Sequence, residues 1–281
     1  MITRFAPSPT GPLHLGHAYS AIIAHDLARA AGGAFLLRIE DIDPQRSKSV
    51  WEDQIYDDLH WLGLTWDGAV MRQSERRPAY DAALDQLWDM GLLYPCSCTR
   101  RDIEMALGAP QEGGWHYGPD GAIYPGTCRS HDRTGPRPKD KHLRLDMAKA
   151  CAHLGHDIAF TETGPLHAGV HNLSAAQAIS TIGDIVLARR DFGTSYHLSV
   201  VIDDAAQQVT HAVRGVDLFE ATAIHALLQN LLSLPQPSYH HHDLIRDDAG
   251  KRLAKRDDAR AIRTYRDEGL SPATIRQMIG L

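Results

Sequence analysis

The 281-residue sequence has little cysteine, few aromatic residues and no excess of positive charge. Four cysteines are too few to scaffold a chain of this length, so a hydrophobic core must do that work, and the expected compartment is a reducing cytoplasm. Lysine and arginine total 29 against 35 aspartates and glutamates, a net charge of −6. A polyanionic partner is therefore not written in the bulk charge and needs a local basic patch. No run approaches the ~20 apolar residues of a membrane span; the best stretch, residues 18–24, is broken by His25 and Asp26. The first residues lead straight into a strand-like segment, which leaves no room for a signal peptide. What is present is 43% hydrophobic and 23% charged, the composition of a folded soluble protein with one large core or two modest domains.

Apolar spacing predicts a strand at residues 2–6, a loop rich in proline, and a helix over 15–31 with Leu15, Tyr19, Ile22, Ile23 and Leu27 on one face. A second strand follows at 34–39. Ser49 and Glu52 have the spacing of a capping box, opening a helix that buries Trp51, Ile55, Leu59 and Leu62. Strand, helix, strand, helix at this interval predicts right-handed βαβ units on a parallel sheet, an α/β fold with helices on both faces. A third helix is expected at 78–90. Between residues 96 and 137 glycine, proline and cysteine become frequent and periodicity is lost, as in an inserted lobe held by something other than a core. Regular structure is expected at 142–146 and 157–163, buried strands at 182–188 and 199–203, and helices at 219–232 and from Ser271 onward, where Pro272 takes the first helical position.

The strongest chemical signal is Pro7-Ser8-Pro9-Thr10-Gly11-Pro12-Leu13-His14-Leu15-Gly16-His17, between the first strand and the first helix. Two imidazoles one turn apart at a helix N-terminus, with Gly16 admitting a flat ring to the backbone, form a nucleotide site. This block resembles the HIGH signature of class I aminoacyl-tRNA synthetases, in the form used by glutamyl-tRNA synthetases. Lys251-Arg252-Leu253-Ala254-Lys255-Arg256 resembles the KMSKS loop, with Arg252 at the family's first lysine and Ala254 at its serine. Arg38-Ile39-Glu40-Asp41-Ile42-Asp43, the segment from Tyr196 to Asp204, and Val213-Arg214-Gly215 also look like that family. As an ordered set these motifs cover essentially the whole chain.

The resemblance implies a Rossmann-type catalytic domain that activates L-glutamate with ATP and Mg²⁺, the α-carboxylate attacking the α-phosphorus as pyrophosphate leaves. Catalytic roles fall to His14, His17 and Lys255, and ATP binding to His14, Gly16, His17, Arg252 and Lys255. Glutamate brings two carboxylates and an ammonium. Arg4 and Arg214 are the expected carboxylate partners and Glu40 the ammonium partner, at the strand ends where open α/β sheets hold ligands. By resemblance Arg4, Phe5, Ala6, Pro7 and Ser8 line the pocket, and Tyr196 offers its hydroxyl. The chain ends 26 residues after Lys255, where glutamyl-tRNA synthetases continue into anticodon-binding domains. It is thus similar to a truncated branch that esterifies glutamate to the queuosine base in the anticodon of tRNA(Asp). The rivals are a compact enzyme charging a tRNA 3′ end and a catalytically idle paralogue that binds tRNA or nucleotide.

Cys96, Cys98 and Cys128 have a spacing that suggests one Zn²⁺, which would hold the coreless lobe. From residue chemistry the fourth ligand is open among His116, His131, Cys151 and Tyr124; the family pattern selects Tyr124. His240-His241-His242 reads as a loop or strand edge rather than a metal site. The C-terminal arginines (Arg246, Arg252, Arg256, Arg260, Arg263, Arg266, Arg276) form a solvated face and the patch expected to meet tRNA phosphates. The expected organisation is a first catalytic half at 1–95, the zinc-bearing insert at 96–137, a second half at 138–235, and a loop with a short helical tail at 236–281, acting as a monomer.

Overall fold

The computed structural model describes residues 1–107, 117–246 and 260–281. The first half is built from β1 (Ile2–Phe5), α1 (Leu15–Ala30), β2 (Ala34–Ile39), α2 (Ser49–Trp61), β3 (Met71–Arg72) and α3 (Arg77–Asp89). β1, β2 and β3 pair in parallel in that order, so the expected βαβ units form. Leu15 and Ile22 of α1 are buried against Phe35, Leu37, Ile55 and Leu59, the apolar stripes having faced the sheet as their periods require. Ser49 does not cap α2. Lys48 is the N-cap without a side-chain bond, and Glu52 instead takes the Arg72 guanidinium at 2.8 Å, a longer-range partner that outbids the local one.

β4 (Leu93–Cys96) leads into the 96–137 stretch, which carries α4 (Arg100–Leu107) and a hairpin of β5 (Tyr117–Gly118) with β6 (Gly121–Ala122), so it has more regular structure than its composition suggests. Its apolar cluster is small: Tyr94, Cys96, Tyr124 and Cys128. The chain then returns through β7 (His142–Leu145), α5 (Met147–Leu154), β8 (Ile158–Glu162), β9 (Gly169–Leu173), α6 (Ala175–Thr181) and β10 (Val186–Ala188). β4, β7 and β10 form a separate antiparallel sheet. α7 (Tyr196–Ala206), β11 (His211–Gly215), α8 (Thr222–Leu231) and β12 (Ser238–His242) complete the second half, and α9 (Ile262–Asp267) with α10 (Pro272–Met278) closes the chain.

Residues 199–203 are therefore helix, not strand. Leu198, Val200, Val201 and Ile202 are buried on several sides of α7, and an all-round apolar helix shows no period that separates it from a buried strand. Of residues 182–188 only Val186–Ala188 are strand. β11, β12 and β8 run parallel, with β9 antiparallel at the edge. Just before β11 the chain meets β1, where the Thr210 N–H donates to the Ile2 carbonyl at 2.9 Å. The two halves thus put the ends of β1, β2 and β11 side by side. The tail docks onto the first half through Ile262, Tyr265, Ile275 and Ile279, and Ser271 caps α10 as expected.

Candidate active site

α1 begins with a cap made by its two histidines. The His14 Nδ1 accepts the Gly16 N–H at 3.1 Å, and the His17 Nδ1 accepts the His14 N–H at 3.1 Å. Both rings therefore carry their proton on Nε2 when neutral. They lie 3.8 Å apart between centroids. The flat ring that Gly16 admits is the protein's own: a Cβ there would stand 3.0 Å from His14 Cε1. The cap fixes both rings, each with its Nδ1 taken by a backbone N–H of the first turn.

Below this helix end lies a cleft of about 380 Å³. Its walls include Arg4, Phe5, Ala6, Pro7, Ser8, Glu40, Tyr196 and Arg214, every residue expected from sequence to meet glutamate, together with Gly16 and His17. Arg4, on β1, donates from Nε and Nη2 to Asp204 at 3.0 and 3.4 Å and from Nη1 to the Val213 carbonyl at 2.9 Å. That leaves one N–H on each terminal nitrogen, the fork a carboxylate needs. Arg38, fully buried, bridges Asp204 at 2.7 Å and Glu40 at 3.3 Å. Burial pushes the Glu40 carboxyl up, while the guanidinium groups of Arg38 and Arg4 pull it back. Burial also raises Tyr196, so its hydroxyl is a neutral donor.

Arg214, on β11, lines the same cleft. It donates from Nε to His241 Nε2 at 3.0 Å, from Nη1 to His225 Nδ1 at 2.8 Å, and from Nη2 to Thr222 Oγ1 at 2.7 Å. His241 in turn is paired with the buried Glu162, whose other oxygen accepts the His241 N–H at 2.9 Å. Sequence reading missed His225, Thr222 and Glu162 as parts of the site, and it missed Asp203 and Asp204. The adjacent aspartates point from α7 to different clusters. Asp204 goes to Arg4 and Arg38, and Asp203 to Gln73, Arg76 and Tyr80 at 2.9, 3.1 and 2.7 Å. Two charges closing an apolar run were the available signal. His240, His241 and His242 end β12, which lies between β11 and β8 rather than in a loop or at a sheet edge, and His241 and His242 are buried.

Lys251, Arg252, Ala254, Lys255 and Arg256 lie outside the described residues, as does His116. On the far side of that segment, Ala261 bridges to His14, and the Ile262 N–H donates to the Leu13 carbonyl at 2.8 Å. Among the described tail arginines, Arg260 pairs with Glu268, Arg263 with Asp267 and Arg276 with Asp26.

In the insert, the Sγ atoms of Cys96, Cys98 and Cys128 lie within 4.8 Å of one another, Cys98 and Cys128 at 3.5 Å. A tetrahedral ion bound at about 2.3 Å separates its sulfur ligands by about 3.8 Å, so the three thiols fit one. The Tyr124 hydroxyl is 3.2 Å from Cys98 and 3.5 Å from Cys96. Burial opposes a thiolate at Cys128, yet hydrogen bonds from Tyr124, the Ser97 N–H and Cys98 outweigh it and hold that thiol below its ordinary range. His131 turns instead to the Pro95 carbonyl at 3.1 Å, and Cys151 is packed in the core on α5.

A parallel sheet with an imidazole-capped helix over a cleft of two arginines and a carboxylate is the catalytic apparatus of a class I synthetase. The chain belongs to the family of class I tRNA synthetases (E and Q), catalytic domain, whose model matches residues 1–147 and 160–281. It is 64% identical, over all of both chains, to the Glutamyl-Q tRNA(Asp) synthetase of Rhodobacter capsulatus. It is 41% identical to the protein of that name from Rhodopirellula baltica, over 98% of this chain and 82% of that one. Among solved structures, a glutamate tRNA ligase from Elizabethkingia meningosepticum in complex with its amino acid superposes with a TM-score of 0.76 at 27% identity. That match covers 99% of this chain and 60% of the other, so this chain spans less than two thirds of that ligase. A methionyl-tRNA synthetase from Mycobacterium tuberculosis, 12% identical at a TM-score of 0.59, shares the fold. Among the described residues, no helix is long and apolar enough to cross a membrane.

Proposed function

We propose that this ligase activates L-glutamate with ATP and transfers it to the queuosine base in the anticodon of tRNA(Asp). The observation that carries the glutamate reading is the single cleft in which Arg4 and Arg214 face Glu40 and Tyr196 beneath the histidine-capped helix. Two guanidinium groups complement two carboxylates, and Glu40 complements an ammonium. The named relatives support the acceptor.

In the first step the α-carboxylate oxygen of glutamate attacks the α-phosphorus of ATP, the bond to the β-phosphate oxygen breaks, and pyrophosphate leaves. Negative charge gathers on phosphate oxygens, so donors must be in place beforehand. His14 and His17, at a helix N-terminus, are the residues we assign to supply them. Gly16 lines the nucleotide side, and Lys255 with Arg252 brings cationic charge to the pyrophosphate; Mg²⁺ enters with ATP. In the second step a hydroxyl of the nucleic acid attacks the activated carbonyl, an ester forms and AMP leaves. Cys96, Cys98, Cys128 and Tyr124 would hold Zn²⁺, which there supplies structure to a lobe with little core of its own. We place the boundaries of that insert at residues 96 and 137.

The test is transfer of labelled glutamate onto tRNA(Asp) with and without queuosine, each with its 3′-terminal adenosine intact or removed. Label on the queuosine-containing tRNA regardless of the 3′ end is expected. Label only on intact 3′ ends would make this a compact charging enzyme. Absence of label, with ATP still bound, would leave a paralogue that binds without reacting.

A further inference from the structure

Arg214 is held by a chain of side chains that crosses three parts of the fold. From His225 Nδ1, 2.8 Å from Arg214 Nη1, the chain continues through His225 Nε2 to His197 Nδ1 at 3.0 Å. His197 Nε2 then reaches Asp120 Oδ1 at 3.2 Å, in the turn between β5 and β6 of the insert. Both imidazoles are buried, at 7% and 1% exposure for His197 and His225.

The direction of every proton in this chain follows from its ends. Arginine only donates, so His225 Nδ1 must accept and its proton must sit on Nε2. That proton makes His197 Nδ1 the acceptor, so His197 carries its own proton on Nε2 and donates it to Asp120, which as a carboxylate only accepts. The other arm runs the same way: Arg214 Nε donates to His241 Nε2, and His241 Nδ1 donates to Glu162. Each imidazole is neutral, and each arm ends on a carboxylate at least one ring removed from the guanidinium.

We propose that His225, oriented by His197 and anchored on Asp120 of the insert, is a positioning residue that fixes Arg214 for the substrate carboxylate while leaving its charge uncompensated. A carboxylate placed directly on Arg214 would orient it equally well but would compete with the carboxylate of the ligand. Neutral acceptors avoid that competition. Burial and the neighbouring Arg214 cation hold His225 well below its ordinary pKa, which agrees with a neutral ring. The proposal also ties the insert to the cleft, because Asp120 is the terminal acceptor of one arm.

That the carboxylate belongs to glutamate rests on the proposed function; the wiring does not. Glutamate-dependent pyrophosphate exchange is measured on the full chain for His225→Leu and His225→Asn. Without the acceptor the glutamate KM is expected to rise about tenfold in His225→Leu, with the ATP KM unchanged, the effect of losing one hydrogen bond to a charged group. His225→Asn keeps an acceptor oxygen at the Nδ1 position and is expected to recover to within about threefold. A glutamate KM for His225→Leu within about twofold of the parent, or no recovery in His225→Asn, would overturn the proposal. In parallel, ¹⁵N spectra of the unmodified protein are expected to show His225 and His197 as neutral Nε2–H tautomers; an Nδ1–H or doubly protonated His225 would also overturn it. If the parent shows no glutamate-dependent exchange, the functional reading fails, and the tautomers still decide the wiring.

Discussion

The two walls of the cleft hold their arginines by opposite means. Arg4 is fixed by charge: Asp204 takes its Nε, and the same carboxylate oxygen takes Arg38, which in turn pairs with Glu40. Arg214 is fixed by neutral acceptors, two imidazoles and a hydroxyl. The first arrangement holds β1, β2 and α7 together as an ion network, in which positive and negative groups nearly balance. The second spends no anion on the guanidinium itself. The contrast separates a wall whose main task is to join the halves of the fold from one that keeps a cation available to a ligand.

The largest effect should come from breaking the charged wall. Asp204→Asn keeps shape but leaves Arg4 and Arg38 without their shared anion, and loss of one partner of a buried ion network costs about 3–5 kcal/mol. Thermal or denaturant unfolding would read it; a loss below about 1 kcal/mol would show the network to be dispensable. Next is the neutral wall. In Arg214→Lys an ammonium cannot reach His241, His225 and Thr222 together, nor present a fork to a carboxylate. The kcat/KM for glutamate is expected to fall on the order of 100-fold, with a smaller change in stability than Asp204→Asn. Equal stability losses in the two variants would erase the distinction between the walls.

Acid should also separate them. His241 and His225 are held below the ordinary histidine pKa, first by burial and then by Arg214. The unfolded chain therefore binds protons at these sites before the native one does, and stability drops as pH falls below about 6.5. Asp204 is depressed in spite of its burial by Arg4 and Arg38, so its contribution persists until pH falls below about 3.9. Asp58, pushed up to about 7 by burial, works in the opposite direction, since the native chain takes that proton first. The contrast is thus best read against His241→Gln. The parent should lose more melting temperature than His241→Gln between pH 7 and pH 5, and equal losses would contradict the neutral-wall assignment.

What the sequence disclosed of these walls follows the range of the interactions. The loop from Pro7 to His17, the strands ending at Phe5 and Ile39, and the lining residues Arg4, Glu40, Tyr196 and Arg214 were legible because short motifs and local periods define them. Asp204 was not, because its meaning lies in an arginine 200 residues away. Reading residues 199–203 as strand compounded this: along a strand Asp203 and Asp204 would face opposite sides, whereas along α7 they turn about 100° apart and serve two clusters. His197, inside the family-like segment from Tyr196 to Asp204, had no role assigned to it, and His225 was not singled out, for a related reason. A lone histidine in an apolar helix carries no signal until the helices that hold it are packed together.

The finest test of the comparison concerns Thr222. Its hydroxyl accepts from Arg214 Nη2 at 2.7 Å, donates to the Leu218 carbonyl at 3.2 Å and lies 3.4 Å from His241 Nε2. Thr222→Val removes these contacts at nearly constant volume. If Arg214 depends on all three acceptors for its orientation, the loss of one neutral acceptor should weaken glutamate use about three- to tenfold, the effect of about 1 kcal/mol. The leftover Nη2 proton then has only the Leu218 carbonyl, 3.5 Å away, at the limit of a hydrogen bond. The ATP KM should not move, since the partners of Thr222 are Arg214, Leu218 and His241. A glutamate KM unchanged in Thr222→Val would mean that the two imidazole arms alone set the guanidinium plane. The neutral wall would then reduce to two acceptors rather than three.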